Sequence, residues 1–388
     1  MMDILTLNNI SQKGLGRLSR NLFHVGEELD DPVGILVRSQ NMKEMELPES
    51  LCAIARAGAG TNNIPVEKCS EKGIVVFNTP GANANAVREL TIAGLILSAR
   101  NVVSAADWVQ TELVGKGSAI GSLVEKGKKK FVGPELAGKK LGVIGLGAIG
   151  VQVANTAAAL GMEVLGYDPY ISVDAAWQLS HRVSHCVNLS DLYTQCDFIT
   201  VHVPVTRDTE GMINQQADSQ MKAGVRLLNF ARGELVNTAA VLAGLKSGKI
   251  AAYVCDFPEE ALLGVRGVVA LPHLGASTPE SEENCAVMAV DQLKDYLLNG
   301  NIKNSVNWPN VELPRASGHR ICVLHQNVPG MLSGITGAVS DAGLNIENLV
   351  NKGRGSYAYT MLDVSGPVGG AVKARLEGMS GAIRVRII

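Results

Sequence analysis

The 388-residue sequence lacks an excess of charge of either sign. Its formal net charge is −2, with 35 Lys and Arg against 37 Asp and Glu. Such a balance provides no global attraction to nucleic acid or to an anionic membrane surface, so we expect neither as a partner. Any anion that binds must therefore be held by a local arrangement of cations or backbone N–H groups.

Paired cysteines and long apolar runs are also missing. The seven cysteines are scattered, odd in number and never form a C-x-x-C pair. This spacing argues against a disulfide framework and against a metal centre, so we expect buried thiols in a reducing compartment. The start, MMDILTLNNISQKG, lacks the regions of a signal peptide, and no run of about 18 apolar residues offers a membrane span. We therefore expect a cytoplasmic protein.

What the sequence does contain is a repeated alternation of short apolar runs with helical segments. Up to about residue 78 the strand candidates are ILTLNNI, GILVRS, LCAIARAGAG and GIVVFNTPG. From residue 140 onward they are KLGVIG, EVLGYD, DFITVHV, VRLLNF, AAYVCDF and VVALPH. Both sets predict α/β domains, and the second, with five or six strands joined by crossovers, predicts a doubly wound parallel sheet.

Three further segments complete the organisation. AVRELTIAGLILSARN is apolar nearly all round, which favours a buried helix between domains or subunits. The polar stretch VGKGSAIGSLVEKGKKK, which ends at Lys130, predicts a solvated loop. After a proline-marked linker, NWPNVELPRASG, the last part of the chain has the order βαββαβ, which is typical of a ferredoxin-like unit.

The stretch GVIGLGAIG has the spacing G-x-G-x-x-G at Gly145, Gly147 and Gly150. It follows a strand candidate, opens a helix, and is succeeded by a second strand that ends at Asp168. In this setting the three glycines allow a tight turn, the approach of a pyrophosphate, and close helix–strand packing. An aspartate at this distance binds an adenosine ribose and repels a 2′-phosphate, so the pattern indicates NAD rather than NADP.

Two residues suit the chemistry of a nicotinamide-dependent reaction. His273 directly follows a strand candidate, at the carboxyl end where such sheets place their chemistry, and can exchange a hydroxyl proton. Arg232 follows the strand VRLLNF and has the forked geometry that binds a carboxylate. His202, in TVHVPVT, is expected in the core or beside the cofactor rather than in catalysis.

The motifs GVIGLGAIG, LLNFARGELVN and ALPHLGASTPESEENCAV together resemble the D-isomer-specific 2-hydroxyacid dehydrogenases, over essentially the whole chain. HLGAST and the C-terminal piece are most similar to members that oxidise 3-phosphoglycerate with NAD, at the entry to serine biosynthesis. The resemblance implies a Rossmann domain inserted in a flavodoxin-like substrate domain, followed by an ACT domain. The implied bounds are 1–85 and 276–308 for the substrate domain, 86–275 for the NAD domain, 309–317 for a linker and 318–388 for the ACT domain.

The resemblance also implies catalytic roles. His273 is the acid/base, Arg232 holds the substrate carboxylate, and a glutamate of CDFPEE pairs with His273 and keeps its imidazole oriented. This chain is one residue shorter than the family pattern at that point. Anchoring on the Phe-Pro pair selects Glu260, with Glu259 as the alternative.

Binding residues follow from the same resemblance. Asp256 is expected near the nicotinamide carboxamide, and Arg88 is left out of the site. The expected NAD-binding residues are Gly145, Gly147, Ala148, Ile149, Gly150, Asp168, His202, Pro204, Ala231 and Asp256. The expected substrate-binding residues are Arg38 and Ser39 for the phosphate, Arg56 to share it, Gly58 near the carboxylate, and Asn83.

The stretch HQNVPGMLSGITGAVSDAGLNIENL resembles an ACT domain of the serine-regulated members. It implies a homo-oligomer, a dimer or tetramer, in which L-serine binds at His325, Asn327 and Asn345 between paired ACT domains and acts through hinge residues near the linker. An ACT domain kept only for oligomerisation is the alternative. Two other functions stay open, namely reduction of an unphosphorylated 2-keto acid such as hydroxypyruvate or glyoxylate, and a non-catalytic NAD-dependent sensor.

Overall fold

The computed structural model describes residues 1–315 and 318–388, so the last two residues of the expected linker, 316 and 317, lie outside the described residues. The chain divides into two compact units. One unit combines Met1–Asn83 with Pro279–Ile388, and the other is Ala84–Thr278. The second unit is therefore inserted in the first, with its limits within three residues of the expected ones. The C-terminal piece, expected as a domain of its own, is grouped with the first unit.

The first segment forms a five-stranded parallel sheet with the order β2-β1-β3-β4-β5. This order is flavodoxin-like and confirms the expectation. The strand β2 was not predicted because it is a short edge strand without a marked apolar run. The elements are β1 (Met2–Leu7), α1 (Gln12–Leu15), β2 (Phe23–Gly26), β3 (Gly34–Val37), β4 (Ala53–Arg56), α2 (Val66–Glu71) and β5 (Val75–Phe77).

The inserted unit contains a seven-stranded parallel sheet. Its helices are α3 (Ala84–Arg100), α4 (Val102–Glu112), α5 (Ile120–Gly127), α6 (Ala148–Ala159), α7 (Val173–Gln178), α8 (Leu189–Gln195), α9 (Gln215–Gln220) and α10 (Thr238–Ser247). Its strands are β6 (Lys140–Ile144), β7 (Glu163–Tyr167), β8 (Val183–His185), β9 (Phe198–Val201), β10 (Val225–Asn229), β11 (Ile250–Cys255) and β12 (Val268–Ala270).

The order of these strands is β12-β11-β10-β9-β6-β7-β8, the doubly wound topology expected for dinucleotide binding. The strand β8 escaped prediction because it has three residues and its side chains are mostly exposed. The loop prediction for the lysine-rich stretch was wrong, since α5 and a 3₁₀ turn over Lys128–Phe131 lie there. Trp108 packs on Phe131 and against Gly127, so tertiary contacts support these turns, while the three lysines remain exposed.

The last segment returns to the first unit. Its elements are α11 (Pro279–Asn299), β13 (His319–Gln326), α12 (Met331–Asp341), β14 (Ile346–Arg354), β15 (Tyr357–Val364), α13 (Gly370–Glu377) and β16 (Ala382–Ile387). The four strands form an antiparallel sheet with the order β14-β15-β13-β16. The βαββαβ order and this strand order confirm the ferredoxin-like expectation.

Both faces of the central strand β13 are covered, whereas the edge strand β14 is mostly exposed. Alternate residues of β13, such as Ile321 and Val323, pack with α12 and α13. Their neighbours Cys322 and Leu324 belong to the core of the first segment, together with Tyr296 of α11. Because successive side chains of a strand point to opposite faces, a single strand contributes to two cores.

Polar contacts fix the C-terminal sheet to α11, to the residues that follow it and to the first segment. Arg386 lies over the ring of Tyr296, 4.5 Å from its centroid, and donates to backbone carbonyls at the end of α11. The hydroxyl of Tyr359 donates to the carbonyl of Gly300 over 2.7 Å. Within the expected linker, Val311 is fully buried and pairs with Ile302. The guanidinium of Arg384 on β16 donates to the carbonyl of Leu51 over 2.6 Å, so the sheet is also docked on the first segment.

Among the described residues, no single helix has the length and apolar character needed to cross a membrane. The adjacent helices α3 and α4 satisfy the criterion only together, by length and composition, and are bent by 66° with respect to each other.

Candidate functional site

The glycine-rich turn connects β6 to α6 in the inserted unit. Gly145 has a φ of +93°, and a Cβ there would lie 2.7 Å from the carbonyl oxygen of His202. A Cβ on Gly150 would lie 1.9 Å from the carbonyl oxygen of Gly145. At Gly147, by contrast, a Cβ would meet no atom of the described residues within 4 Å. The fold itself therefore requires Gly145 and Gly150, whereas Gly147 leaves open space at the start of α6.

Asp168 follows β7 and lies beside this turn. Its Oδ2 accepts from the backbone N–H of Leu146 over 2.8 Å, and its Oδ1 accepts from Tyr170 over 2.9 Å. Each carboxylate oxygen retains capacity for a second donor, such as a ribose hydroxyl. Asp168 thus follows the second strand directly and stabilises the glycine turn through its hydrogen bond to Leu146.

His202 follows β9, with Pro204 exposed two residues further on. Its Nε2 lies 3.0 Å from Oγ1 of Thr200, while its Nδ1 is buried and has no hydrogen-bond partner within the described residues. Burial lowers the pKa of His202 from 6.5 to about 4, so the imidazole is neutral near pH 7. An imidazole with so low a pKa is a weak proton acceptor near pH 7, which agrees with a cofactor-side role.

The turn after β10 presents Arg232 to solvent. The fully buried Asn229 ties this turn, since its Oδ1 accepts from the N–H of Ala231 and its Nδ2 donates to the carbonyl of Arg232. The Arg232 guanidinium donates to the carbonyl of Ala231 over 2.6 Å. Sequence reasoning missed Asn229. Its available signal was an amide at the end of an otherwise apolar strand.

Asp256 and His273 lie after β11 and β12, at the same edge of the sheet. Asp256 is 1% exposed, and its Oδ2 accepts from the N–H of Gly275 over 3.0 Å. Its Oδ1 is buried without a partner among the described residues, and burial raises the pKa of the carboxyl. His273 is exposed, and its ring packs on Phe257 with 4.8 Å between centroids.

Within the described residues, neither candidate glutamate forms an ion pair with His273, whose ring packs on Phe257 instead. Glu259 accepts a hydrogen bond from the hydroxyl of Thr238 over 2.8 Å. Glu260 is exposed and begins a 3₁₀ turn, Glu260–Leu262. The pairing of a glutamate with His273 stays a prediction.

The first unit places two arginines at the ends of adjacent strands. Arg56 ends β4, where it is paired in register with Val37, and Arg38 follows β3 directly. The Nε of Arg56 donates to the carbonyl of Arg38 over 3.0 Å. Gly58 has a φ of +156°, and a Cβ there would lie 2.6 Å from the Arg56 guanidinium. The glycine thus makes room for this cation.

The surrounding loops show what remains available for a ligand. The backbone N–H of Ser39 donates to Oδ1 of Asn8, a residue that sequence reasoning missed, over 3.0 Å. Asn8 has a φ of +69° and was detectable only as an asparagine just after a strand. Asn83 is partly buried at the end of the first segment, and Arg88 pairs with Glu89 on α3.

The expected effector residues differ in accessibility. His325 is 2% exposed, with Nδ1 2.8 Å from the carbonyl of Gln326 and Nε2 2.9 Å from the hydroxyl of Thr360. Asn327 is exposed and donates to the carbonyl of Gly355, and Asn345 is exposed as well. Both ring nitrogens of His325 therefore already have partners inside the sheet.

The inserted unit fits NAD in three respects. Gly147 provides open space where a side chain would otherwise project, next to the exposed Ala148 and the partly buried Ile149. Asp168 stands at the end of the second strand with spare acceptor capacity. Asp256 offers a buried carboxylate oxygen that has no partner in the described chain, suited to a carboxamide N–H. The helix N-terminus adds a favourable field for a pyrophosphate.

Comparison with known proteins agrees with this geometry. The model of the D-isomer-specific 2-hydroxyacid dehydrogenase NAD-binding domain matches residues 92–275. A D-3-phosphoglycerate dehydrogenase from Methanocaldococcus jannaschii is 36% identical over 336 residues, which are 84% of this chain and 61% of the relative. The chain thus spans about three fifths of that relative's length.

In two further comparisons the matched region covers most of this chain and most of the other protein. A Schizosaccharomyces pombe protein, provisionally named D-3-phosphoglycerate dehydrogenase, is 30% identical over 100% of this chain and 88% of its own length. The NAD⁺-bound 3-phosphoglycerate dehydrogenase of Entamoeba histolytica has a TM-score of 0.61 and 26% identity, over 79% of this chain and 98% of that chain.

Proposed function

Because the chain belongs to the D-isomer-specific 2-hydroxyacid dehydrogenase family, we propose that it oxidises 3-phospho-D-glycerate to 3-phosphohydroxypyruvate. This reaction is the first step of serine biosynthesis. The observation that carries the choice of substrate is the pair of cations Arg38 and Arg56 at the ends of β3 and β4. An unphosphorylated 2-hydroxy acid has no group that requires two such cations in addition to Arg232.

The proposed roles follow from the chemistry of each side chain. NAD, when bound, accepts the hydride that leaves C2 of the substrate. A ring nitrogen of His273 accepts the proton of the C2 hydroxyl, which is the reason for an exposed imidazole here. Arg232 binds the carboxylate, and Asn229 holds the turn that carries it. Asp256 orients the nicotinamide carboxamide through its unpaired oxygen.

The proposal is tested by measuring NADH formation from 3-phosphoglycerate, and NADH consumption with 3-phosphohydroxypyruvate and with hydroxypyruvate. We expect kcat/KM to be highest for the phosphorylated pair. A higher kcat/KM with hydroxypyruvate or glyoxylate would favour the keto-acid reductase instead. NADPH in place of NADH is expected to bind poorly, because the carboxylate of Asp168 would face a 2′-phosphate.

A His273→Ala variant separates an enzyme from a non-catalytic NAD-dependent sensor. We expect the variant to bind NADH like the parent and to lose turnover by a factor of about 10² to 10⁴. Undiminished turnover would contradict the acid/base role. Tight NADH binding by a parent that turns over none of these substrates would favour the sensor.

L-serine is the proposed effector of the C-terminal sheet. Support comes from the exposed side chains of Asn327 and Asn345, which offer amides to an amino acid. His325 would contribute only after giving up its bonds to Gln326 and Thr360. The same NADH assay, run with and without serine, tests this regulation. An absence of any effect would favour a sheet that serves only assembly or stability.

A homo-oligomer is proposed from the surface of α4. No residue of this helix is buried in the described chain, although it carries the apolar residues Val102, Val103 and Val109. Such an exposed apolar face is suited to a second copy of the chain. Sedimentation velocity over a range of concentrations tests the proposal.

We place the reaction in the cytoplasm, where 3-phosphoglycerate and NAD are both available.

A further inference from the structure

Arg38 already has an anionic partner in this structure. Its NH2 donates to Oε1 of Glu282 over 2.6 Å. The side chains of the pair are 39% and 43% exposed, so solvent and ligands reach both. Pairs this exposed contribute little to stability, so structural support alone does not explain the contact.

Glu282 belongs to the first turn of α11, which begins at Pro279. Its neighbour Glu283 has a different partner, the ammonium of Lys13 at 2.9 Å. The two adjacent carboxylates therefore serve different cations. Only Glu282 is directed to an arginine expected to bind the substrate phosphate.

A second cation lies close to the backbone of Arg38. Arg56 is the second cation, linked to the first by the bond from its Nε to the carbonyl of Arg38. A phosphate bound there would meet two guanidinium groups and one carboxylate. Since a guanidinium has five N–H donors, Arg38 can bind a phosphate while it retains Glu282, but the two anions would then lie side by side.

We propose that Glu282 is a specificity-determining residue, whose carboxylate repels a phosphate bound beside it on Arg38 and so limits the preference for phosphorylated over unphosphorylated substrates. The inference rests on the proposed function, in which Arg38 binds that phosphate.

Electrostatics sets the expected size of the effect. A single carboxylate about 6 Å from a doubly charged phosphate lowers its affinity about tenfold in a water-like dielectric, and more if water is partly excluded. Hydroxypyruvate lacks the phosphate and is not subject to this repulsion. Removing the charge of Glu282 should therefore change the affinity for the phosphorylated substrate more than the affinity for hydroxypyruvate.

The experiment compares the parent with Glu282→Gln and with the matched control Glu283→Gln. For Glu282→Gln we expect the KM for 3-phosphohydroxypyruvate and the Kd for 3-phosphoglycerate to fall about tenfold, with the KM for hydroxypyruvate changed less than about twofold. The Glu283→Gln control should leave all three values within about twofold of the parent. The gain should shrink in 1 M salt, where the Debye length is about 3 Å.

The outcomes separate this inference from the proposed function. A parent that reduces hydroxypyruvate but not 3-phosphohydroxypyruvate contradicts the function, and the calorimetric Kd for 3-phosphoglycerate then still decides the role of Glu282. An unchanged or weaker affinity of Glu282→Gln for 3-phosphoglycerate overturns the inference, since Glu282 would then position Arg38 or have no role. An equal gain in Glu283→Gln overturns it too, because the effect would be one of overall charge.

Discussion

Among the polar contacts described for the first unit, the buried ion pair of the C-terminal sheet is expected to contribute most to the free energy of unfolding. Arg320 on β13 is fully buried and stands opposite Asp363 on β15 in the strand register. The contact is bidentate, with Nε to Oδ1 at 2.7 Å and NH2 to Oδ2 at 2.9 Å. The same guanidinium donates to the carbonyls of Asn299, Leu313 and Pro314.

The perturbation is Asp363→Asn, which keeps the shape of the side chain and removes its charge. The guanidinium would then be buried without a counter-ion, and an amide N–H group would face its donors. Breaking a buried pair in this way costs about 3–5 kcal/mol. At about 2–4 °C per kcal/mol for a unit of this size, the melting temperature should fall by about 6–20 °C.

The assay is urea unfolding followed by tryptophan fluorescence, together with calorimetric melting. Trp308 is fully buried and packs on Tyr357 of β15, 5.0 Å between ring centroids, so it reports on this region. Asp341→Asn is the matched control. Its partner Arg375 lies 2.6 Å away in an exposed pair, for which a loss of at most about 1 kcal/mol is expected. Equal losses of stability in the two variants would show that burial of the Arg320–Asp363 pair does not make it the stronger contact.

Two further predictions concern the inserted unit. Gly147→Ala should leave the free energy of unfolding within about 1 kcal/mol of the parent but raise the Kd for NADH at least tenfold. Gly150→Ala should lower the free energy of unfolding by about 1–3 kcal/mol, because its Cβ would overlap the carbonyl of Gly145. Urea unfolding and NADH titration measure both, and a stable Gly147→Ala with normal NADH affinity would count against the pyrophosphate site. Burial lowers the pKa of His202 to about 4, so the imidazole binds a proton more readily in the unfolded chain than in the folded one. The free energy of unfolding should therefore fall by about 3 kcal/mol as the pH decreases from about 6.5 to about 4. This part of the acid sensitivity should disappear in His202→Gln, as measured by urea unfolding across that range, and its persistence would show that other groups cause it.

Much of the fold was predictable because its signals are local. The strands β6 and β7, the glycine turn between them and Asp168 follow from apolar runs and fixed spacings over about thirty residues. The missed strands β2 and β8 are short edge strands, whose side chains need not be apolar. The helix α5 was missed because packing around Trp108, rather than its polar sequence, supports it.

The candidate site shows the same division. His273 and Arg232 were predicted as reacting residues because chemistry in such sheets lies at the carboxyl ends of strands. Asn229 was missed because its role consists of hydrogen bonds made inside a folded turn. The pairing of Arg38 with Glu282 joins residues 244 positions apart, a relation that no local pattern contains.

The sequence alone was sufficient to predict the parallel α/β architecture, the nucleotide-binding turn, the ferredoxin-like order of the last elements and the candidate reacting residues. Each of these depends on residue type and short-range spacing. Only the folded structure shows that the last sheet docks on the first segment, that His325 is buried and that Arg38 donates a hydrogen bond to Glu282. These features arise from surfaces brought together across the chain, where burial and partner choice depend on packing rather than on neighbouring residues.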